Sequence, residues 1–264
     1  MSLIPDGRPC LFFGLFVLFN HGGHLMKAAR FLLVSALLGI VLIPAFAMGG
    51  GEEQPVAGLV NNMVQQPQRA ADFTLKDQNN QPFHMADQKG KVVLMCFIYT
   101  HCTDICPFIA TKVKEVYQQL GSDAKNVAIV AVTTDPKRDV PAVTLPYSKA
   151  LGLESVWHFV GGSAKAVQAV WASYAIGVTV DPDTDAVAPP KGSMDMDKPP
   201  TQGLSSDDLS LVGKIVQQFG GGYDVGHSAP FWIVDKKGWI RVGMDADATP
   251  ADIATNVRVL LNLK

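Results

Sequence analysis

Two cysteines, Cys102 and Cys106, are the residues whose type and spacing are best suited to chemistry. They are separated by three residues in the run Tyr99-Thr100-His101-Cys102-Thr103-Asp104-Ile105-Cys106-Pro107. We expect Cys106 to lie at a helix start, where the helix dipole and free N–H groups favour a thiolate. A thiolate is the form of cysteine that binds soft metals and attacks disulfides. The sequence therefore indicates a metal site, a redox site or both.

A strand and a helix are predicted to position this pair. Residues 92–99 are β-branched, apolar or aromatic, which is typical of a buried strand. Pro107 suits the first position of a helix, because its missing N–H removes no hydrogen bond there. The residues after it have apolar side chains at helical spacing: Ile109, Val113, Val116 and Leu120.

The remaining pattern alternates strands and helices. The predicted elements are a hairpin over 72–83, strands 127–133 and 157–160, helices 141–151 and 163–174, a strand pair 231–234 and 239–242, and a last helix from Thr249. This order predicts an α/β, thioredoxin-like three-layer fold with an N-terminal hairpin. In such a sheet the cysteines stand at the carboxyl end of a central strand.

The N-terminus predicts export. Lys27 and Arg30 precede an apolar run over 31–43, and Ala45-Phe46-Ala47 offers a signal-peptidase site. Residues 1–47 are therefore read as an N-terminal extension and signal peptide, with translation starting at Met1 or Met26. The apolar run is short for a membrane crossing, which needs about 20 residues. We expect a periplasmic protein, with an uncleaved inner-membrane anchor as the second interpretation.

The rest divides into a linker and one domain. Residues 48–70 read as a linker, and 71–264 as the thioredoxin-like domain. A long Pro- and Gly-rich insertion over 181–226 precedes the last strand pair, with a helix predicted at 206–219. Met194 and Met196 within it could offer a soft secondary Cu(I) site, or could simply be part of a solvated loop.

Composition narrows the partners and the roles of the cysteines. The formal net charge of −2 gives no reason to expect nucleic acid or an anionic membrane surface as a partner. Cys96 falls inside the predicted strand and is most simply a small core residue. A purely structural disulfide between Cys102 and Cys106 is a weak alternative, because so small a loop gains little entropy on closure.

His227 is the best histidine to join the two cysteines. It precedes the strand 229–234, which is expected to run alongside the cysteine-bearing strand, so its loop faces the thiols. The alternative is a histidine that only hydrogen-bonds loop backbone. His101 adjoins Cys102, but neighbouring residues of an extended chain point in opposite directions. His84 and His158 fall in the hairpin and on a short strand.

With these residues in place, the chain resembles the Sco/SenC family of thioredoxin-fold factors for copper-site assembly in cytochrome c oxidase. The likeness covers roughly 72–264 apart from 181–222. The matching residues are Phe97 to Pro107, Thr134-Asp135-Pro136-Lys137-Arg138-Asp139-Val140-Pro141, Leu145 with Tyr147, Trp157-His158-Phe159-Val160-Gly161-Gly162, and His227 before Ile233-Val234-Asp235-Lys236-Lys237-Gly238.

This resemblance implies copper ligation by Cys102, Cys106 and His227, with Asp135 as a nearby acidic residue. It implies as partners a cytochrome c oxidase subunit that carries the copper site, and an upstream copper donor or thiol reductant. Two positions depart from the family pattern. Gly226 replaces an Asp before the histidine, and Pro230 stands where an apolar strand residue is usual, which requires an edge, a bulge or a loop end.

Three functions compete at this point. The favoured one is a periplasmic copper chaperone for oxidase assembly. The alternative is a thiol–disulfide oxidoreductase that reduces the cysteines of a copper-site acceptor, which needs the cysteine pair but not His227. A peroxide-consuming or redox-sensing enzyme lacks a peroxidatic Cys with Thr and Pro at suitable spacing. Zinc in a Cys₂His site is a further chemical alternative.

Overall fold

The computed structural model describes residues 55–180, 201 and 203–263. The strands within that part of the chain are β1 (Gln68–Arg69), β2 (Thr74–Lys76), β3 (Pro82–His84), β4 (Val92–Ile98), β5 (Val127–Thr133), β6 (Trp157–Val160), β7 (Val178–Val180), β8 (Val225–His227), β9 (Phe231–Val234) and β10 (Trp239–Met244). The α-helices are α1 (Ile105–Leu120), α2 (Pro141–Leu151), α3 (Ala164–Ser173), α4 (Ser206–Phe219) and α5 (Pro250–Leu261).

A six-stranded mixed sheet forms the centre, in the order β1-β10-β9-β4-β5-β6. Strands β4, β5 and β6 are parallel, whereas β9 pairs with β4 in the antiparallel direction. All seven residues of β4 are buried. This is expected of a strand with neighbours on both sides and covered faces, and it explains the continuous apolar run in the sequence.

The core lies in two layers, one on each face of the sheet. Val92, Leu94, Cys96 and Ile98 of β4 face a cluster that includes side chains of α1, α2, α4 and α5. The alternate residues Val93, Met95 and Phe97 face a second cluster with α3 and the β2–β3 hairpin. Helices on both faces of a mixed sheet confirm the predicted three-layer α/β fold.

Helix α1 begins two residues earlier than predicted. Asp104 is its N-cap, so Cys106 is the second helical residue and Pro107 the third. The prediction that Pro107 occupies the first position is therefore wrong by two residues. The proline is tolerated there because the first four N–H groups of a helix have no partner within the helix.

The insertion contributes to the core. Helix α4 has the predicted bounds and starts at a capping box formed by Ser205 and Asp208. Its Ile215 is 1% exposed and belongs to the larger core cluster. Strands β7 and β8, which were not predicted, form a separate two-stranded antiparallel sheet, with β7 directly before the insertion and β8 at its end.

The described part of the segment 48–70 differs from a free linker. Strand β1 pairs with β10 at the edge of the central sheet. The backbone N–H of Val60 donates to Asn256, and the Asn62 side-chain amide donates to the carbonyl of Arg241. These residues add a strand and partly buried hydrogen bonds to the domain, which a Gly/Gln/Asn-rich composition does not reveal.

Pro230 lies in the loop directly before β9, so it takes a loop end, one of the three positions open to it. The predicted leader over 1–47 and the pair Met194 and Met196 lie outside the described residues. No helix among residues 55–180 and 203–263 is long and apolar enough to cross a membrane.

Candidate metal centre

The two cysteines lie where β4 ends and α1 begins. Cys102 and Cys106 are 3% and 0% exposed, and both are free thiols. The backbone N–H of Asp104 donates to the Cys102 sulfur at 3.4 Å. A hydrogen bond also joins the two cysteine side chains. The pair is therefore buried and mutually in contact.

The sheet topology brings His227 to the same point. Because β9 runs antiparallel to β4, the residues that precede β9 lie at the carboxyl end of β4, as predicted. Strand β8 carries His227 and pairs with β7, with Val178 opposite His227. The His227 Nε2 atom lies 3.5 Å from the Cys106 sulfur, although the two residues are 121 positions apart.

One hydrogen bond fixes the tautomer of His227. Its Nδ1 lies 3.0 Å from the backbone carbonyl of Ser228. A carbonyl can only accept, so Nδ1 carries the proton and Nε2 presents its lone pair towards the sulfur. Removal from water lowers the pKa of His227 to about 4, with the Ser228 bond acting in the opposite direction. At neutral pH the ring is uncharged, which is the form that binds metals.

The two thiols differ in acidity. Burial alone raises the pKa of Cys102, but hydrogen bonds from the side chain and backbone of Cys106 and from the backbone of Asp104 bring it below its ordinary value. The pKa of Cys106 is well above its ordinary value, first because of burial and then because of its hydrogen bond with Cys102 and the negative charge of that sulfur. Cys102 is therefore the more acidic, nucleophilic sulfur of the pair.

Asp135 takes part in a network beside the centre. Its carboxylate binds the Arg138 guanidinium and accepts from the Tyr223 hydroxyl at 2.8 Å. Arg138 in turn lies 3.7 Å from the centre of the Tyr223 ring and donates to the Gly221 carbonyl. Asp135 therefore anchors the loop that precedes β8, a role that its position in the sequence does not indicate.

A second buried carboxyl supports the cysteine loop. Asp139 accepts from the Thr100 N–H at 3.2 Å and from the Thr100 and Thr133 hydroxyls, both at 2.6 Å. The sequence motif contains Asp139 but does not indicate this role. The Thr residues that follow β4 and end β5 are the signal that could have indicated a shared hydrogen-bond partner.

The other histidines of the described residues have different partners. His101 Nδ1 lies 2.9 Å from the Thr100 hydroxyl. His84 contacts the Thr74 hydroxyl, and His158 lies 3.4 Å from Asp77. Cys96 faces the core, and burial raises its pKa to about 12. Of the predicted site residues, Cys102, Cys106 and His227 come together. Asp135 contacts the loop that leads to His227, through Tyr223.

The donor set suits a soft or borderline ion. Two ligands at about 2.0–2.3 Å from one tetrahedral ion stand about 3.5 Å apart, which is the Cys106–His227 separation. In the part of the chain that the structure describes, no three His, Cys, Asp or Glu side chains already form a closed metal cluster. Two sulfurs and a neutral imidazole nitrogen are ligands that Cu(I), Cu(II) and Zn²⁺ accept.

The fold and the site together define a class: a thioredoxin-like protein with a dithiol and an imidazole at the carboxyl end of its central strand. The SCO1/SenC family model matches residues 61–197, which is more than half of the sequence. The chain belongs to the SCO1/SenC family.

Known relatives agree with this assignment. An SCO2-like protein of Rickettsia felis is 34% identical over 118 residues, which are 45% of this chain and 58% of that protein. The match thus spans little more than half the length of that relative.

Solved structures show the same fold. ScoI of Bradyrhizobium japonicum with copper bound has a TM-score of 0.55 and 24% identity, covering 74% of this chain and all of that one. BsSco, described as a member of the Sco family of cytochrome c oxidase assembly proteins, has a TM-score of 0.51 and 19% identity, covering 80% of this chain and all of that one.

Proposed function

We propose that this protein is a copper chaperone that holds one copper ion through Cys102, Cys106 and His227 and assists assembly of the copper site of cytochrome c oxidase. The observation that carries the proposal is the 3.5 Å approach of His227 Nε2 to the Cys106 sulfur. A histidine that only hydrogen-bonded loop backbone would not be expected to place its free ring nitrogen against a buried cysteine sulfur.

The relatives support the same cargo and the same pathway. Copper is bound in ScoI of Bradyrhizobium japonicum, and BsSco belongs to a family of cytochrome c oxidase assembly proteins. Cargo must also leave the site, and a cysteine-rich acceptor can take copper by ligand exchange. The acceptor we propose is the oxidase subunit that carries the copper site, with an upstream copper donor or thiol reductant as a second partner.

The proposed place of action is the periplasm. The reasons are the basic and apolar segment over 27–43 and the small residues at 45–47. Retention of that segment as an inner-membrane anchor is the second form of the proposal. In an oxidising compartment the two cysteines can also form a disulfide. The disulfide form has no thiolates to bind copper, so oxidation of the pair competes with copper loading.

Copper titration of the reduced protein tests the ligand set. Wild type, His227→Ala and Cys102→Ser are titrated with Cu(II) by absorption and with Cu(I) against a chelator. We expect both variants to bind more weakly and His227→Ala to give an altered Cu(II) spectrum. An unchanged spectrum for His227→Ala would exclude the three-ligand site. A Zn²⁺ titration run in parallel shows whether the site prefers copper.

Thiol–disulfide exchange is the second candidate function, and the unequal acidity of the thiols favours it. The Cys102 thiolate would attack an acceptor disulfide and form a mixed disulfide, releasing one acceptor thiolate. Cys106 would then pass its proton to the acceptor thiolate released in the first step, attack Cys102 and release the second acceptor thiolate. Two electrons pass to the acceptor, and the chain is left with a Cys102–Cys106 disulfide.

The two candidate functions differ in whether they need His227: copper binding does, and thiol–disulfide exchange does not. Reduction of a disulfide peptide by His227→Ala at the wild-type rate, together with loss of that reaction in Cys102→Ser, would support the exchange function. A rate for Cys102→Ser equal to that of wild type would exclude it.

A further inference from the structure

We propose that Tyr99 is the positioning residue that sets the distance between His227 and Cys106. This inference rests on the proposed function and names a residue that acts on the geometry of that site. Tyr99 directly follows β4 and is 3% exposed. It contacts both sides of the centre: the segment that leads to the histidine and the buried sulfur.

The side chain of Tyr99 holds the histidine segment at three points. Its hydroxyl donates to Asp224 at 3.1 Å and accepts from the backbone N–H of Val225 at 3.3 Å. Its ring meets the His227 ring edge to face, with centroids 5.8 Å apart. The hydroxyl thus fixes the entry into β8, and the ring limits where the imidazole can lie.

The backbone of Tyr99 reaches the other ligand. A hydrogen bond joins it to the side chain of Cys106. Since Tyr99 continues from a strand buried on both faces, its backbone is held by the central sheet. A displacement of the ring relative to β4 would therefore change the Cys106–His227 distance directly.

Other contacts hold the loop further from the histidine. Gly221 donates its N–H to the His101 carbonyl, and Tyr223 donates to Asp135. These bonds fix the turn before Asp224. Tyr99 bonds the next two residues, Asp224 and Val225, so its hydroxyl fixes the short segment that links the turn to His227.

The test variant is Tyr99→Phe, which removes the hydroxyl and keeps the ring. The matched control is Tyr174→Phe, because the Tyr174 hydroxyl is also that of a buried tyrosine and donates to the Ala71 carbonyl in the opposite core layer. Asp224→Ala is a second variant, which removes the acceptor and leaves Tyr99 intact.

The first measurement uses metal-free protein. We expect amide hydrogen exchange over 224–228 to accelerate roughly five- to tenfold in Tyr99→Phe and Asp224→Ala, the change that the loss of one hydrogen bond typically brings. Exchange over 92–98 should stay at the wild-type rate. Tyr174→Phe should leave 224–228 unchanged. Wild-type exchange over 224–228 in both test variants would overturn the proposal.

The second measurement is a double-mutant cycle on copper affinity. Tyr99→Phe should weaken copper binding roughly tenfold, as residues that orient a ligand commonly do, and should shift the Cu(II) spectrum. In the His227→Ala background the same substitution should have no further effect. An equal effect in both backgrounds would overturn the positioning role. An unchanged spectrum for His227→Ala alone would refute the ligand set, while the metal-free exchange still decides whether Tyr99 holds the segment.

Discussion

The cysteine side and the histidine side of the centre are built differently. The cysteines follow a strand buried over its full length and enter a 16-residue helix that packs in the core. His227 ends a three-residue strand in a two-stranded sheet and is only partly buried. Before it stands a turn with three glycines, Gly220, Gly221 and Gly222.

The difference indicates which ligand can yield. Few buried apolar contacts and a short ladder give a segment a low free energy of local opening, whereas a central strand opens only with the whole domain. We infer that the sulfurs form the fixed part of the centre and that the imidazole is the part that adjusts when an ion enters or leaves.

The largest expected effect lies on the cysteine side. Cys106→Ser should reduce copper affinity by more than the roughly 10- to 100-fold that changes around a metal ligand typically cost, because it removes a proposed ligand itself. Chelator competition measures this loss. Cys96→Ala is the control, since Cys96 lies in β4 and faces the core. A larger loss for His227→Ala than for Cys106→Ser would reverse the comparison.

The second effect concerns pH and Asp139, which holds Thr100 of the cysteine loop. Burial raises the pKa of Asp139 to about 7, against the three hydrogen bonds that lower it. Unfolded Asp ionises near pH 3.9, so between about pH 4 and 7 the folded state keeps the proton that the unfolded state has lost. Stability from this group is full below about pH 4 and is lost as the pH rises through about 7.

Denaturant unfolding from pH 4 to 8 measures this dependence. Asp139→Asn cannot ionise, so its stability should fall less over that range, by an amount on the order of a few kcal/mol. Ser173→Ala removes a hydroxyl that donates to the carbonyl of Ala169 within α3, leaves the Asp139 network intact and should keep the wild-type slope. Equal slopes for Asp139→Asn and wild type would show that Asp139 is ionised throughout.

The third effect lies on the histidine side, at the turn. A Cβ at Gly220 would lie 2.5 Å from the Val216 carbonyl oxygen and 2.7 Å from Thr103 Cγ2. Gly220→Ala should therefore destabilise the protein by about 1–3 kcal/mol, as overpacking commonly does, and accelerate exchange over 224–228. Gly213→Ala is the control, because nothing lies within 4 Å of its added Cβ.

Gly213 lies inside α4, so the alanine should stabilise the protein by about 0.5–1 kcal/mol. Thermal unfolding of the two variants measures both changes in stability, a decrease for Gly220→Ala and an increase for Gly213→Ala. A Gly220→Ala variant as stable as wild type would mean that the turn can move away from the cysteine loop without cost.

The smallest effect separates two helix caps. Ser205 and Ser163 accept from the backbone N–H groups of Asp208 and Ala166, at the starts of α4 and α3. Changing either to Ala should cost about 1 kcal/mol. Only Ser205→Ala should also accelerate exchange over 224–228, because α4 leads directly into the glycine turn. The same acceleration from Ser163→Ala would remove the distinction between the two sides.

The sequence predicts the cysteine side of the molecule well. The apolar run of β4, the spacing in α1 and the proline and threonine at the start of α5 are local signals with strong periodicity or capping chemistry. The bounds of α4 are also predictable, since its apolar residues recur at helical spacing. The order of these elements is enough to place the thiols and His227 at the end of the sheet where β4 has its carboxyl terminus.

The histidine side is less visible in the sequence. The signal for β7 is only Val178-Thr179-Val180, and β8 contains a glycine beside His227, so neither strand has a pattern of useful length. The contacts of Tyr99 with Asp224 and of Tyr223 with Asp135 join residues 125 and 88 positions apart. Such pairs depend on tertiary packing, which spacing along the chain does not encode.

The Ser228 carbonyl has a consequence for charge. Because it keeps the imidazole proton on Nδ1, His227 adds no charge to the centre at neutral pH. With the proposed ligands, two thiolates would give a bound Cu(II) ion a neutral complex, whereas Cu(I) would leave one net negative charge among buried side chains. Burial disfavours the charged complex, so the oxidation state of the copper ion changes the electrostatic free energy of holding it in the site.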